Sequence, residues 1–290
     1  MKVNSFSDLR NYLHQTGAYW YLWTLESKQS IWAKVGEELT IPNSRANVYF
    51  GVNPSRCAKP PIERTKMTDI AGLNCVYAEY DCKDYGSLEK ISSHIRTLRF
   101  RPTVVVFSGG GYHCYTFLKE TLTIKTDEDL ERARKLQAGW VEYTRSDKGA
   151  KDITRVLRVP STRNWKPQYA PSFPEVKIVF SDTARVYTAE QLESVLPKPQ
   201  QRTEPREQHF GKGYVETALK NEVERVLRSV EGERNNNLNI AAYSLGRLIG
   251  QNGLSRSRVE GMLLCAALGA GLPEKQSIRT IQSGLDGVLK

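Results

Sequence analysis

The stretch VYAEYDCKD, residues 76–84, runs from apolar residues into an abrupt acidic end. Together with the preceding LNC it has the composition of a buried β-strand. Strand side chains two residues apart share a face, so Glu79 and Asp81 point the same way. Two carboxylates on one face suit a hard divalent cation such as magnesium or manganese, which prefers oxygen ligands. An acidic edge strand turned to solvent has the same pattern, so the pair alone leaves both readings open. Asp84 lies past the strand end and is less well placed.

Downstream, PTVVVFSGGGYHCYTFLKE, residues 102–120, reads as strand, glycine turn and second strand, with His113 sharing strand parity with Tyr115 and Phe117. Glycines let a backbone approach a ligand closely and offer amides to an anion. A histidine beside them could donate to a phosphate oxygen; a plain hairpin with a satisfied histidine is the alternative. The turn is not a P-loop, because the defining lysine and hydroxyl are missing. It is not a dinucleotide fingerprint either, because a strand follows it rather than a helix. A third stretch, SDKGAKDITRVLRVPSTRNWK, residues 146–166, sets Asp152 near Arg155 and Arg158, with Asn164 and Lys166 beyond. One carboxylate beside several cations suits a site holding a metal and a triphosphate together, and it equally describes a charged surface loop.

The whole chain sets the bounds. Its 290 residues suffice for one large or two ordinary domains, and 39% hydrophobic with 26% charged residues is ordinary for a globular protein. The net charge of +10 favours a polyanionic partner, nucleic acid first. Five scattered cysteines with no Cys-x-x-Cys pair suggest neither a disulfide framework nor a structural zinc site. No apolar run is long enough for a membrane, and MKVNSFSDLRNYLHQ lacks the apolar core of a signal peptide, so a cytoplasmic location without membrane attachment is expected.

The flanks of the three stretches complete a mixed α/β or α+β layout with local hairpins. Residues 5–15 read as a helix capped by Ser5 or Ser7, and 126–144 as a helix capped by Thr126. Aromatic-rich strands are predicted in GAYWYLWTLESKQSIWAKV and ANVYFGV. Pro, Gln, Gly and charge dominate residues 196–213, a linker signature. Beyond it only helices are read: 214–230, one opening on the Asn run at 235–237 and stopping at Gly250, one from Ser255 to Gly271, and one opening at Pro273. The predicted domains are therefore residues 1–195, a linker over 196–213 and a helical bundle over 214–290. The chain ends inside or just after its last helix, which suggests a fragment of a longer protein.

Each stretch is modest alone, but the ordered set is specific: an apolar strand into Glu79-x-Asp81, then Ser108-Gly-Gly-Gly-x-His113, then Asp152 with RVLRVPSTRNWK. It resembles the catalytic domain of the archaeo-eukaryotic primase superfamily, in its primase-polymerase branch of phages, plasmids and integrated elements. VYFGVNP before the first acids adds to the likeness, which covers residues 45–170 most clearly. The C-terminal helices resemble the primase-associated helical domain of such proteins, in which a helicase domain often follows. The resemblance implies an RNA-recognition-motif-like α+β core with mixed and antiparallel sheets, followed by a small all-α bundle. It implies template-directed nucleotidyl transfer, a DNA primase and polymerase activity on single-stranded DNA using dNTPs or NTPs. It places two magnesium or manganese ions on Glu79, Asp81 and Asp152, and the nucleotide on Ser108, His113, Arg158, Asn164 and Lys166. Arg155 is as open to holding Asp152 in place, and Tyr115 to a core role as to one under the sugar. Arg247, Arg256 and Arg258 of the bundle could meet template or merely pack. Two departures stand out: Glu79 replaces the usual Asp, and Ser161 the usual Gly of a Pro-Gly-Thr turn. A non-catalytic single-strand- or origin-binding replication protein is one rival, and a nucleotidyltransferase of repair or a CRISPR-linked setting is another.

Overall fold

The structure, a computed structural model, describes residues 2–42, 45–197, 211–250 and 252–287. The chain divides into two compact units, Met1–Gln200 and Gln201–Lys290. The predicted linker lies, over 198–210, outside the described residues. No helix among the described residues is long and apolar enough to cross a membrane.

The first unit runs α1 (Phe6–Leu13), β1 (Tyr19–Thr24), β2 (Ser30–Lys34), β3 (Val48–Gly51), β4 (Gly72–Asp81), α2 (Cys82–Tyr85), α3 (Leu88–Thr97), β5 (Val104–Phe107), β6 (Gly111–Thr123), α4 (Asp127–Thr144), β7 (Val156–Arg158), β8 (Lys177–Ser181), β9 (Val186–Tyr187) and α5 (Ala189–Glu193). Local chemistry starts its main helices: Ser5 and Thr126 accept from the backbone three residues on and receive a carboxylate back, closing capping boxes at α1 and α4. The strands form two sheets, β2-β1-β3-β7 and β4-β6-β5-β8, with β9 added in parallel on β6 and every other pairing antiparallel. This is an α+β architecture with mixed and antiparallel sheets, the one of the two layouts left open by the segment pattern that the resemblance implies.

β4 is apolar almost throughout because both of its faces are covered. Cys75 and Tyr77 enter the largest core cluster, shared with Trp20, Leu22 and Phe50 of the other sheet and with Phe6, Leu9 and Leu13 of α1. Val76 packs under α4 with Leu136 and Trp140, and Ala78 and Tyr80 pack under α3 with Ile91 and Ile95. Fully burying a side chain of this size is worth roughly 1.5–3 kcal/mol, so the register of β4 is strongly held. A one-residue slip would exchange its two faces. That register leaves Glu79 and Asp81 on the face of Cys75 and Tyr77, at the end where the apolar residues stop.

The second unit holds α6 (Lys212–Leu227), α7 (Arg234–Gly246), α8 (Arg256–Gly269) and α9 (Glu274–Asp286). They share one apolar core that includes Leu219, Leu238, Leu245, Leu263 and Leu285. Ser255 caps α8 and Pro273 stands just before α9, as read from the sequence. The Asn run does not cap α7, which starts after Glu233 with no side-chain cap and ends at Gly246. Asn235 is drawn instead to α9, its Oδ1 accepting from Thr280 Oγ1 at 2.7 Å and from Gln276 Nε2 at 3.2 Å.

Candidate active site

β4 and β6 pair so that Glu79 stands opposite His113 and Asp81 opposite Gly111. Directly opposed residues in an antiparallel pair share a face, and His113 Nε2 lies 3.8 Å from Glu79 Oε2. That is an ion-pair distance without an ion pair. Burial, followed by the charges of Arg158, Arg155 and Lys166, pulls the imidazole down to about 3, so it is neutral at physiological pH. Burial pushes the Glu79 carboxyl up, and Arg155 opposes that shift. Arg155 Nε donates to Glu79 Oε1 at 2.6 Å, with Asp147 Oδ2 4.0 Å from its Nη2.

The glycine turn between β5 and β6 uses each glycine for a different reason. Gly109 sits at φ +97°, a conformation that favours glycine. A Cβ at Gly110 would collide with the Tyr169 hydroxyl, and one at Gly111 with the Tyr80 carbonyl oxygen. Asn164, almost fully buried, holds this turn: its Nδ2 donates to the Ser108 carbonyl at 3.0 Å, while its Oδ1 accepts from Lys166 N at 3.3 Å.

The third stretch arrives through β7, which pairs with β3 and places Arg158 opposite Tyr49. Arg158 is 3% exposed; its Nη1 donates to Asn47 Oδ1 at 2.7 Å, and its Nη2 is buried with no partner. Burial lowers its pKa, but a guanidinium stays charged in proteins. The Tyr77 hydroxyl donates to the Asp152 carbonyl at 2.5 Å, tying the segment to β4. Asp152 Oδ1 then accepts from Thr154 N at 2.8 Å within its own turn. Ser161, where the resembled turn has Gly, sits at φ 70°, in the region glycine favours.

All eight residues selected from the sequence—Glu79, Asp81, Asp152, Ser108, His113, Arg158, Asn164 and Lys166—line one cleft of about 360 Å³. Asp84 is not in its lining, and Tyr115 is a fully buried core residue rather than a wall of the cleft. Arg155 pairs with Glu79 and Asp147, not with Asp152. The sequence reading missed Asp147, Tyr49, Trp23, Arg64 and Tyr169, which also line the cleft. Asp147 carried a signal, as a second acid in the same charged stretch, and Tyr49 lay in the VYFGVNP stretch; the Asp147 backbone N–H donates to the Glu79 carbonyl at 2.8 Å. The lining sets four carboxylates (Glu79, Asp81, Asp147, Asp152) against five cations (Arg64, Lys83, Arg155, Arg158, Lys166), so it is built for both signs of charge.

Carboxylate oxygens are the right donors for magnesium or manganese. In donor type Glu79, Asp81 and Asp152 therefore fit the ions implied for them. Their arrangement is not closed into a cage: among the described residues no three acidic, histidine or cysteine side chains converge to hold a cation. Arg155 occupies Glu79, and Asp81 Oδ1 caps α2 by accepting from Lys83 N at 3.0 Å.

No family model matches the chain, and no curated protein matches it. Among solved structures it is similar to one described as the crystal structure of primase RepB′, at 13% identity and a TM-score of 0.40, over 98% of this chain and 94% of that one. Another, described as the catalytic domain of primase RepB′ in complex with initiator DNA, is similar at 10% identity and a TM-score of 0.37, over 66% of this chain and 95% of that one.

Proposed function

We propose that the chain is a DNA primase-polymerase, joining dNTPs or NTPs on a single-stranded DNA template in the replication of a mobile element. One observation supports this most: three stretches spread over about ninety residues bring acids, the glycine turn, His113, Arg158 and Lys166 into the lining of one cleft. In this reading the Ser108–Gly111 turn, neutral His113, Arg158 and Lys166 face the triphosphate. The Nη2 of Arg158, which has no partner in the protein, would supply charge and a donor to a phosphate that reaches it. Asn164 positions the turn rather than touching the nucleotide. A magnesium or manganese ion held by Glu79, Asp81 and Asp152 would neutralise the departing pyrophosphate. Seating it requires Arg155 to leave Glu79.

Primer extension by Asp81→Ala tests the proposal. The variant is expected to lose incorporation by about a hundredfold or more, as when a main charge-stabilising group is removed. Unchanged incorporation would sink the assignment. The pairing of Arg155 with Glu79 favours one other reading, a single-strand-binding replication protein whose acids no longer serve catalysis. Binding of single-stranded DNA with no manganese- or magnesium-dependent incorporation would decide for it.

A further inference from the structure

A row of side chains crosses the sheet that carries β7. Trp23 on β1 stands opposite Tyr49 on β3, and Tyr49 opposite Arg158 on β7, so all three share one face. The Trp23 and Tyr49 ring centroids are 5.6 Å apart, and the Arg158 guanidinium lies 4.8 Å from the Tyr49 ring centre. The inner end of the row is therefore closed by a buried cation. The outer end is not. Trp23 is only partly buried and belongs to no core cluster, whereas Trp20, three residues earlier on the same strand, is 1% exposed. What covers the Trp23 ring is two exposed, long-chain cations, Arg64 at 5.0 Å and Lys28 at 5.3 Å from its centre.

An indole at a cleft mouth, screened by cations that solvent can take back, suits a flat π-system whose neighbours are anionic. We infer that Trp23 is a stacking platform for one base of single-stranded DNA, with Lys28 and Arg64 moving from the ring to the adjoining phosphates. Aromatic faces accept any base, and the flanking cations follow the backbone. This rests on the template reading above and names where the strand enters.

Fluorescence anisotropy with a labelled oligo(dT) of about 12 nucleotides, without nucleotide, over a range of salt, tests it. Trp23→Ala is expected to weaken binding about tenfold, the scale of one stacked base, while leaving the salt slope unchanged. Trp23→Leu, which keeps apolar packing without a π-face, should match it, and Trp23→Phe should recover most of the affinity. Lys28→Ala with Arg64→Ala should instead flatten the slope of log K against log salt by about 1.4. DNA affinity unchanged in both Trp23→Ala and Trp23→Leu overturns the inference alone. So does loss of nucleoside triphosphate binding with DNA binding intact, which would put the incoming base there. A wild-type protein that binds no single-stranded DNA overturns the template reading itself, and this inference with it.

Discussion

The two units treat buried polarity in opposite ways. In the first, Arg158, His113 and Asn164 are buried, and two of them keep nitrogens without partners. In the second, Ser277 is the one buried polar side chain among the described residues, and its hydroxyl donates to the Pro273 carbonyl at 3.0 Å. Two of the three bundle arginines that the sequence offered as template contacts are engaged at the surface: Arg256 with Glu260 and Asp286, Arg258 with Glu216. Burying an unpaired polar group costs on the order of 1–3 kcal/mol. A unit that retains two of them in one cleft, at His113 and Arg158, is built for a ligand, and a unit that retains none among its described residues is built to pack.

Glycine substitutions sharpen the contrast most. Gly111→Ala drives a Cβ into the Tyr80 backbone, which cannot yield without opening the β4–β6 pair that positions Glu79 and His113. A loss of about 3 kcal/mol or more is expected, read as lost hydrogen-exchange protection of β6 amides. Gly261→Ala lies inside α8, exposed, with nothing within 4 Å of the new methyl group. Helix propensity alone then acts, and a gain of roughly 0.5–1 kcal/mol is expected in the protection of α8 amides. The same change with the same sign in both places would dissolve the distinction.

What could be read from sequence follows the range of the interaction. The α+β class, the cap at Thr126, a serine cap at Ser5 or Ser7 and the parity of Glu79 with Asp81 depend on neighbours within a few residues, and each is legible. β7 is three residues long and is made a strand by β3, about a hundred residues earlier, so no local pattern announces it. Without β7 the place of Arg158 beside Tyr49 cannot be derived, nor the row that ends at Trp23. The choice of Glu79 by Arg155 is also a contact across 76 residues, and proximity along the chain pointed instead to Asp152. Asn235 failed as a cap because a tertiary partner on α9 competes for its side chain.

Two arginines test the contrast at smaller scale. Arg155→Met leaves the mostly buried Glu79 carboxylate without its cation. Removing one partner of a fully buried pair costs about 3–5 kcal/mol. With the Arg155 side chain a third exposed, about 2 kcal/mol at pH 7 is expected. The loss should depend on pH in a defined sense. The Glu79 pKa is already raised above its ordinary value of 4.5 by burial, with Arg155 working against the shift, so removing Arg155 raises it further. A carboxyl whose folded pKa lies above its unfolded one stabilises the protonated fold, so the variant weakens as pH rises through that window. Urea titrations at pH 4 and pH 7 should therefore show a penalty that grows with pH; an equal penalty at both would mean that Arg155 acts by packing alone. Arg258→Met removes an exposed guanidinium that pairs with Glu216. Solvent and salt already screen that pair, and the same titrations should show no measurable change at either pH. A loss there comparable to that of Arg155→Met would mean the bundle depends on its surface charges as the first unit depends on its buried ones.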